Sequence, residues 1–355
     1  MNSIAKRLSF EEVIELGLYL HFTADVKDKF VWRAFEQAAL DNLHFYELKH
    51  ICQLEWISSS HKPKHTTARF DNLLLNTVIQ KIDAGLESRE DYHNIMQGFR
   101  NKKNIDVHLK MQRLLIDKKD FFNPKHEGKE KEWALNMVNL FYSFVSNKKK
   151  QFGVYARYAK EEVDEILAHY EDDFCEAAQH LDAEGITKLA QVMYLLKSGR
   201  YENIWWRIEN RVHDLAEVKG ALDDYHISNI IRSFSRSQEN LMSGSDKLFV
   251  HLEPLIINQI NNFNSRDLSH VMYGYSIRDC GNPELFKAID KRVEDLLDQG
   301  EVFDYPTCHN MLYYLMFKDS LNEKIWKGVV DSAVAQDDVL PIVYYKAFKF
   351  SKFYL

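Results

Sequence analysis

Residues 268–297 read LSHVMYGYSIRDCGNPELFKAIDKRVEDLL. In the first half, Leu268, Val271, Met272 and Tyr275 are spaced so that they fall on one face of a helix. In the second half, Leu285, Ile289, Val293 and Leu296 do the same. Between them, Gly281 can end a helix in the left-handed conformation, and Pro283 suits the first turn of the next, where its missing N–H forgoes no hydrogen bond. The stretch predicts two helices joined by a Gly-Asn-Pro turn. One such hairpin cannot bury its own apolar face, so it needs neighbours of the same kind.

The chain supplies them. Leu189-Ala-Gln-Val192-Met193-Tyr194 matches Leu268-Ser-His-Val271-Met272-Tyr273 at an offset of 79, and Ile208-Glu-Asn-Arg211-Val212 matches Ile289-Asp-Lys-Arg292-Val293 at an offset of 81. Between these lie His226 to Phe234 and Lys247 to Ile256, the same plan one unit along. After them come Asn310-Met-Leu-Tyr313 and Lys324-Ile-Trp326, at an offset of 40 from His270-Val-Met-Tyr273 and Glu284-Leu-Phe286. A fixed period of helix pairs is the mark of a solenoid. The reading is an all-α chain, an α-solenoid of about eight helical hairpins with a period of roughly 40 residues. Residues 1–180 form an irregular hairpin region. Residues 181–355 form a regular repeat region ending in a half repeat, Pro341 to Leu355.

Composition fits a folded helical chain. Its 355 residues exceed the usual size of one compact core, a limit that a repeat array escapes because each unit packs only on its neighbours. Apolar residues make up 45%, and Gly (13) and Pro (6) are few, as short connections require. No run is long and apolar enough to span a membrane, which leaves membrane association through partners open. Cys52, Cys175, Cys280 and Cys308 are too widely spaced for a zinc knuckle or a disulfide framework, and a reducing compartment is the simplest reading. The net charge of −7 repels a nucleic-acid backbone. Residues 101–150 nevertheless carry 12 Lys+Arg against 6 Asp+Glu, which is either a partner surface or solvated helix faces.

Taken in order, the chain opens with Lys6 and Arg7 and no acid before Glu11, at best a fragment of a mitochondrial-type presequence. Ser9 and Glu12 form a capping box. Helices are expected at 9–22, 27–41, 43–57, 67–84, 88–101, 105–118, 130–146 and 151–171. First helices of hairpins are expected near 9, 43, 88, 130, 183, 225, 266 and 306.

Residues for chemistry are scarce. There is no phosphate loop, no nucleophile elbow, no H-E-x-x-H and no kinase signature. His61 and His65 are separated by Pro63 and lie in a loop, so they make a poor metal pair. Ser233-Phe-Ser-Arg-Ser237 reads as a turn, His270 as a satisfied or surface histidine, and the acidic tract 160–176 as the solvated face of a helix. No catalytic residue, metal or cofactor site is expected, and the chain reads as a non-enzyme.

Aromatic residues make up 13% of the chain. Tyr194, Tyr225, Tyr273, Tyr275, Tyr313 and Tyr314 cluster in the first helices, interleaved with Arg232, Arg236, Arg266 and Arg278. Tyrosines of this kind either fill half-buried seams between helices or form a ladder on the inner surface. A ladder could stack bases of single-stranded RNA or anchor a protein partner. The candidate partner surface is therefore Tyr194, Arg232, Arg236, Arg266, Tyr273, Tyr275, Arg278, Tyr313 and Tyr314. A second docking element is the aromatic end, with Tyr344, Tyr345, Phe348, Phe350, Phe353 and Tyr354.

The hairpin Asp267-Leu-Ser-His-Val-Met-Tyr273-Gly-Tyr275-Ser276, followed by Asn282-Pro-Glu-Leu285-Phe286, resembles the helical-pair repeats of organellar proteins. These are the pentatricopeptide, octotricopeptide and heptatricopeptide-like families, the last including FAST-kinase-type repeats. The likeness covers one unit well and three more loosely, over 180–335. It implies a mitochondrial protein, whose relatives mostly handle organellar RNA; the other location considered is the cytoplasm. The chain departs from these families in its acidity and in having no basic nuclease-like domain after the repeats. The expectation is a non-catalytic scaffold among the protein subunits of a large mitochondrial assembly (respiratory chain, ATP synthase or mitoribosome). The alternative is an organellar single-stranded RNA-binding protein.

Overall fold

The computed structural model describes residues 8–22, 28–60, 66–99, 105–122, 124–125, 127–155, 158–196, 201–235, 244–318, 320 and 322–335. Among these there is no strand, and the fold is all-α. The chain divides into two units. Unit 1 holds residues 1–129 and 139–170, and unit 2 holds 130–138 and 171–355.

Unit 2 contains four complete hairpins among its described residues. Their first helices are α10 (Ala183–Leu196), α12 (Asp224–Phe234), α14 (Ser265–Arg278) and α16 (Tyr305–Phe317). Their second helices are α11 (Glu202–Ala216), α13 (Asp246–Gln259), α15 (Pro283–Asp298) and α17 (Glu323–Val334). The first helices begin 41, 41 and 40 residues apart. Each first helix packs on its own partner and on the first helices before and after it, and the second helices pair in the same order. Equivalent residues repeat in columns. Ile204-Trp205, Leu248-Phe249, Leu285-Phe286 and Ile325-Trp326 stand at the same place in the four second helices, and the first member of each pair is fully buried. Each first helix is preceded by a buried apolar residue and a short polar one: Leu181-Asp182, Leu222-Asp223, Phe263-Asn264 and Phe303-Asp304. In all four pairs the polar side chain accepts from the backbone N–H three residues on and caps the helix.

A column of buried and half-buried acids joins one hairpin to the next. Glu209, Glu253 and Asp290 each follow a fully buried aliphatic residue, Ile208, Leu252 and Ile289. Glu209 accepts from the backbone N–H of Ser245 (2.9 Å) and from its hydroxyl. Ser245 is the cap residue of α13, and its side chain does not cap its own helix. Glu253 accepts from the Asn282 amide, while Asn282 Oδ1 caps α15 at Leu285 N (2.8 Å). One step further, Asn322 caps α17 and donates to Glu294 (2.6 Å), and Asp290 accepts from the Tyr314 hydroxyl (3.1 Å). A hydrogen bond to a charged group contributes about 1.5–3 kcal/mol. Arginines secure the other end of the hairpins. Arg211 Nε donates to the Leu181 carbonyl (2.7 Å), and Arg292 donates to the Phe263 carbonyl through Nε (3.1 Å) and Nη2 (3.0 Å). Gln259 does the same for Leu222 (3.0 Å).

Unit 1 repeats the plan. Helices α1 (Phe10–Phe22) and α2 (Lys29–Asp41) form one hairpin, and α3 (Leu48–Ser60) and α4 (Ala68–Ala84) the next. α5 (Arg89–Gly98) packs beside α3, and α6 (Ile105–Asp117) beside α4; the short α7 is Lys119–Phe122. The acid device recurs here. Glu36 follows fully buried Phe35 in α2 and accepts from Thr67, the cap of α4, through its N–H and its hydroxyl (2.9 Å). The two long helices, α8 (Glu130–Tyr155) and α9 (Tyr158–His180), contribute to both units. Within unit 1, the Phe141 and Tyr170 rings meet edge-on at 4.8 Å, and the Tyr170 hydroxyl donates to the Leu115 carbonyl (2.6 Å).

Four expectations change. The helix expected from 43 begins at Leu48, after a 3₁₀ turn at Leu43–Phe45. The helix expected at 130–146 runs on to Tyr155 through the lysine run 148–150, lysine being a good helix former, and the one expected at 151–171 runs from Tyr158 to His180. The left-handed residue that ends α14 is Asp279 (φ 49°), while Gly281 takes φ 108° in the turn, where a side chain would meet Phe286 and Tyr275. The half repeat 341–355 lies outside the described residues, with Tyr344, Tyr345, Phe348, Phe350, Phe353 and Tyr354.

Candidate partner surface

Along the row of first helices in unit 2, rings and cations of neighbouring helices form a seam. Tyr194 and Arg232 belong to neighbouring first helices, and the guanidinium carbon lies 5.8 Å from the ring centre, within cation–π range. Tyr273 and Tyr313 occupy equivalent places in α14 and α16, with ring centres 5.3 Å apart. Tyr313 in turn lies parallel to Phe317, 6.3 Å away, and Phe317 is 41% exposed. Lys318 Nζ sits 4.2 Å from the Phe286 ring centre and 5.6 Å from that of Phe317. Arg266 is exposed at the start of α14. Tyr194, Arg232, Tyr273 and Tyr313 are half-buried, so their edges are reachable.

Beneath this seam the first helices are held by small polar contacts. Gln191 donates to Asn229 (2.8 Å), Ser228 to Asp267 (3.0 Å), and Asn310 to Ser269 (3.2 Å). The approach is tightest at Gly274, where a Cβ would run into Ile231 of α12.

Three expected surface residues are internal. Tyr275 is fully buried, and its hydroxyl donates to the Phe249 carbonyl (2.7 Å). Two residues along a helix is about 200°, so Tyr273 and Tyr275 face opposite ways. The apolar spacing that groups Tyr275 with Leu268, Val271 and Met272 had already placed it inside. Tyr314 is 1% exposed and reaches Asp290. Arg278 is 6% exposed, and its Nε (3.2 Å) and Nη2 (2.8 Å) donate to the Phe234 carbonyl at the end of α12. Its Nη1 reaches Asp246 (3.3 Å), and the guanidinium lies over Phe249 (5.3 Å). Burial lowers the proton affinity of Arg278, and the Asp246 carboxylate opposes that. Arg278 thus ties α12 to α13 and leaves nothing for a partner. Arg236, His61 and His65 lie outside the described residues.

These joining acids show the effect of desolvation. Glu36, Glu253 and Asp290 all have raised pKa values, burial being the first cause. All four cysteines are free thiols. Burial pushes Cys280 and Cys308 up to about 12 and raises Cys52 and Cys175 as well, the opposite of a nucleophilic thiolate. His270 is buried in α14. Among the described residues, no three His, Cys, Asp or Glu side chains converge to hold a metal, and no helix is long and apolar enough to cross a membrane. No protein-family model matches the chain, and no curated protein matches it.

Proposed function

We propose that the chain is a non-catalytic α-solenoid scaffold, an accessory structural subunit of a large mitochondrial assembly. One observation carries this reading. Four buried ionisable groups are engaged in joining hairpin to hairpin: Glu36 with Thr67, Glu209 with Ser245, Glu253 with Asn282, and Arg278 with Phe234 and Asp246. Half-buried Tyr194, Arg232, Tyr273 and Tyr313 supply the residue types that anchor protein interfaces. The mitochondrial assignment rests on the likeness of residues 267–286 to organellar repeats.

RNA binding is the second reading. It is favoured by the pairing of Arg232 with the Tyr194 ring and by the exposed Arg266. A native pull-down from the source cells, with and without RNase, separates the two. Recovery in a large RNase-resistant particle with other protein subunits supports the scaffold. Release by RNase, with RNA co-purifying, supports the alternative. Recovery as a free single chain under both conditions overturns both.

A further inference from the structure

Three arginines of unit 2 hold its hairpins together: Arg211, Arg278 and Arg292 donate to the carbonyls of Leu181, Phe234 and Phe263. Arg232 of α12 and Arg266 of α14 do no such work. Among the described residues, neither guanidinium meets a carboxylate or donates a hydrogen bond. Lysines of the same row are paired, Lys188 with Glu184 (3.1 Å) and Lys318 with Asp279 (3.9 Å). In a chain of net charge −7, the seam thus presents two uncompensated cations, Arg266 exposed and Arg232 half-buried over the Tyr194 ring.

The placement of the two arginines sets a length. Ser228 against Asp267 and Ile231 against Gly274 show that α12 and α14 run parallel and nearly in register. Arg232 is the ninth residue of α12 and Arg266 the second of α14. Seven places along a helix return to nearly the same side and rise about 10 Å, and packed helices lie about 8–10 Å apart. The two positions are therefore roughly 14 Å apart on a diagonal, which an extended chain covers in about four residues. The rings argue against bases as the occupant. Stacking needs a bare ring face, but Arg232 lies over Tyr194, Tyr273 and Tyr313 lean together at 5.3 Å, and Tyr313 lies parallel to Phe317. Two cations also neutralise few phosphates, and nucleic-acid affinity grows with the number neutralised.

We propose that the seam takes an extended acidic segment of a partner protein, with two carboxylates about four residues apart, one on Arg232 and one on Arg266. Each guanidinium fork suits a carboxylate held through both oxygens. The inference rests on the reading of the seam as a protein-docking surface and names the chemistry of what docks.

Peptide selection on the whole protein tests it. Short random peptides displayed on phage and selected on the intact chain should be enriched in pairs of Asp or Glu about four residues apart. Arg232→Gln and Arg266→Gln should each weaken the best selected peptide roughly tenfold in a fluorescence titration. Changing the matching acid of the peptide to its amide should have the same effect on the unaltered protein and add nothing to the arginine variant. Selection without acid pairs, or binding indifferent to both arginines, overturns the proposal. So does displacement of the peptide by oligouridylate with an affinity that falls steeply with salt, which marks a nucleic-acid surface. Failure to select acid pairs on a protein still recovered in an RNase-resistant particle sinks this inference and leaves the scaffold reading standing. Acid pairs selected on a protein recovered as a free chain do the reverse.

Discussion

The backbone nitrogen of Ser245 lies 2.9 Å from Glu209 Oε2, and the Ser245 hydroxyl donates to Glu209 Oε1, so a carboxylate from α11 serves as the cap of α13. Glu253 holds Asn282 in the next hairpin and Glu36 holds Thr67 in unit 1, although there the held residue caps its own helix.

Removing one of these acids leaves partly buried donors unpaired. Glu209→Ala should lower unfolding free energy by about 1–3 kcal/mol, read as a lower denaturant midpoint. Glu253→Gln should lose much less, since the amide oxygen still accepts from Asn282. Equal losses for Ala and Gln at residue 253 would show that the charge, and not the hydrogen bond, holds the joint.

Tyrosines two residues apart should behave oppositely. Tyr275→Phe removes the donor to the buried Phe249 carbonyl and should lower stability by about 1–2 kcal/mol. Tyr273→Ala with Tyr313→Ala should change the denaturant midpoint little and reduce recovery of the protein in its native particle. If RNA is the partner, Arg232→Ala with Arg266→Ala should weaken binding and flatten its dependence on salt, measured by titration with labelled RNA.

Arg278→Met should lower stability by about 2–4 kcal/mol, because it uncovers the Phe234 carbonyl and leaves Asp246 without its partner. Arg278→Lys should restore little, as an ammonium group cannot span both acceptors. Thermal unfolding of the two variants makes the comparison.

Acid should weaken the two units differently. Burial lowers the proton affinity of His21, His50 and His93, all in unit 1. Unfolding then takes up protons, so unit 1 loses stability as the pH falls through the ordinary histidine value of 6.5. Glu36 opposes this within unit 1, but three imidazoles face one carboxyl. In unit 2, Glu253 and Asp290 bind protons more tightly when folded. They weaken the fold at neutral pH, and that effect is relieved as the pH falls through their raised values. Between pH 6.5 and about 5, protection factors over 89–98, corrected for the intrinsic amide rate at each pH, should fall while those over 283–298 do not. His93→Gln should shallow the slope in unit 1.

The helix register was readable because it rests on apolar spacing and turn residues, which are local. First helices expected at 183, 225, 266 and 306 begin at Ala183, Asp224, Ser265 and Tyr305. The Arg211 and Arg292 match found at an offset of 81 proves to be a shared hydrogen bond to the loop carbonyl before each hairpin. The acid column was missed because nothing local marks Glu209 or Glu253; what identifies them is a cap residue 36 and 29 positions downstream, at Ser245 and Asn282. The seam was only partly legible. Composition marks a tyrosine as amphipathic but does not say which side of the helix carries it, and only the stripe containing Leu268 and Val271 could have separated Tyr275 from Tyr273.

Residues 224–264 carry a cap receptor, Ser245, and an acid donor, Glu253. A tandem copy of this segment would present its own Ser245 to the Glu253 before it, just as Ser245 now meets Glu209. The array is therefore written in a self-compatible grammar, and a gene duplication of 41 residues can lengthen it without inventing a new joint. The valines of α17 act as the full stop: past Val330 and Val334, a further hairpin would find no acid to answer its cap.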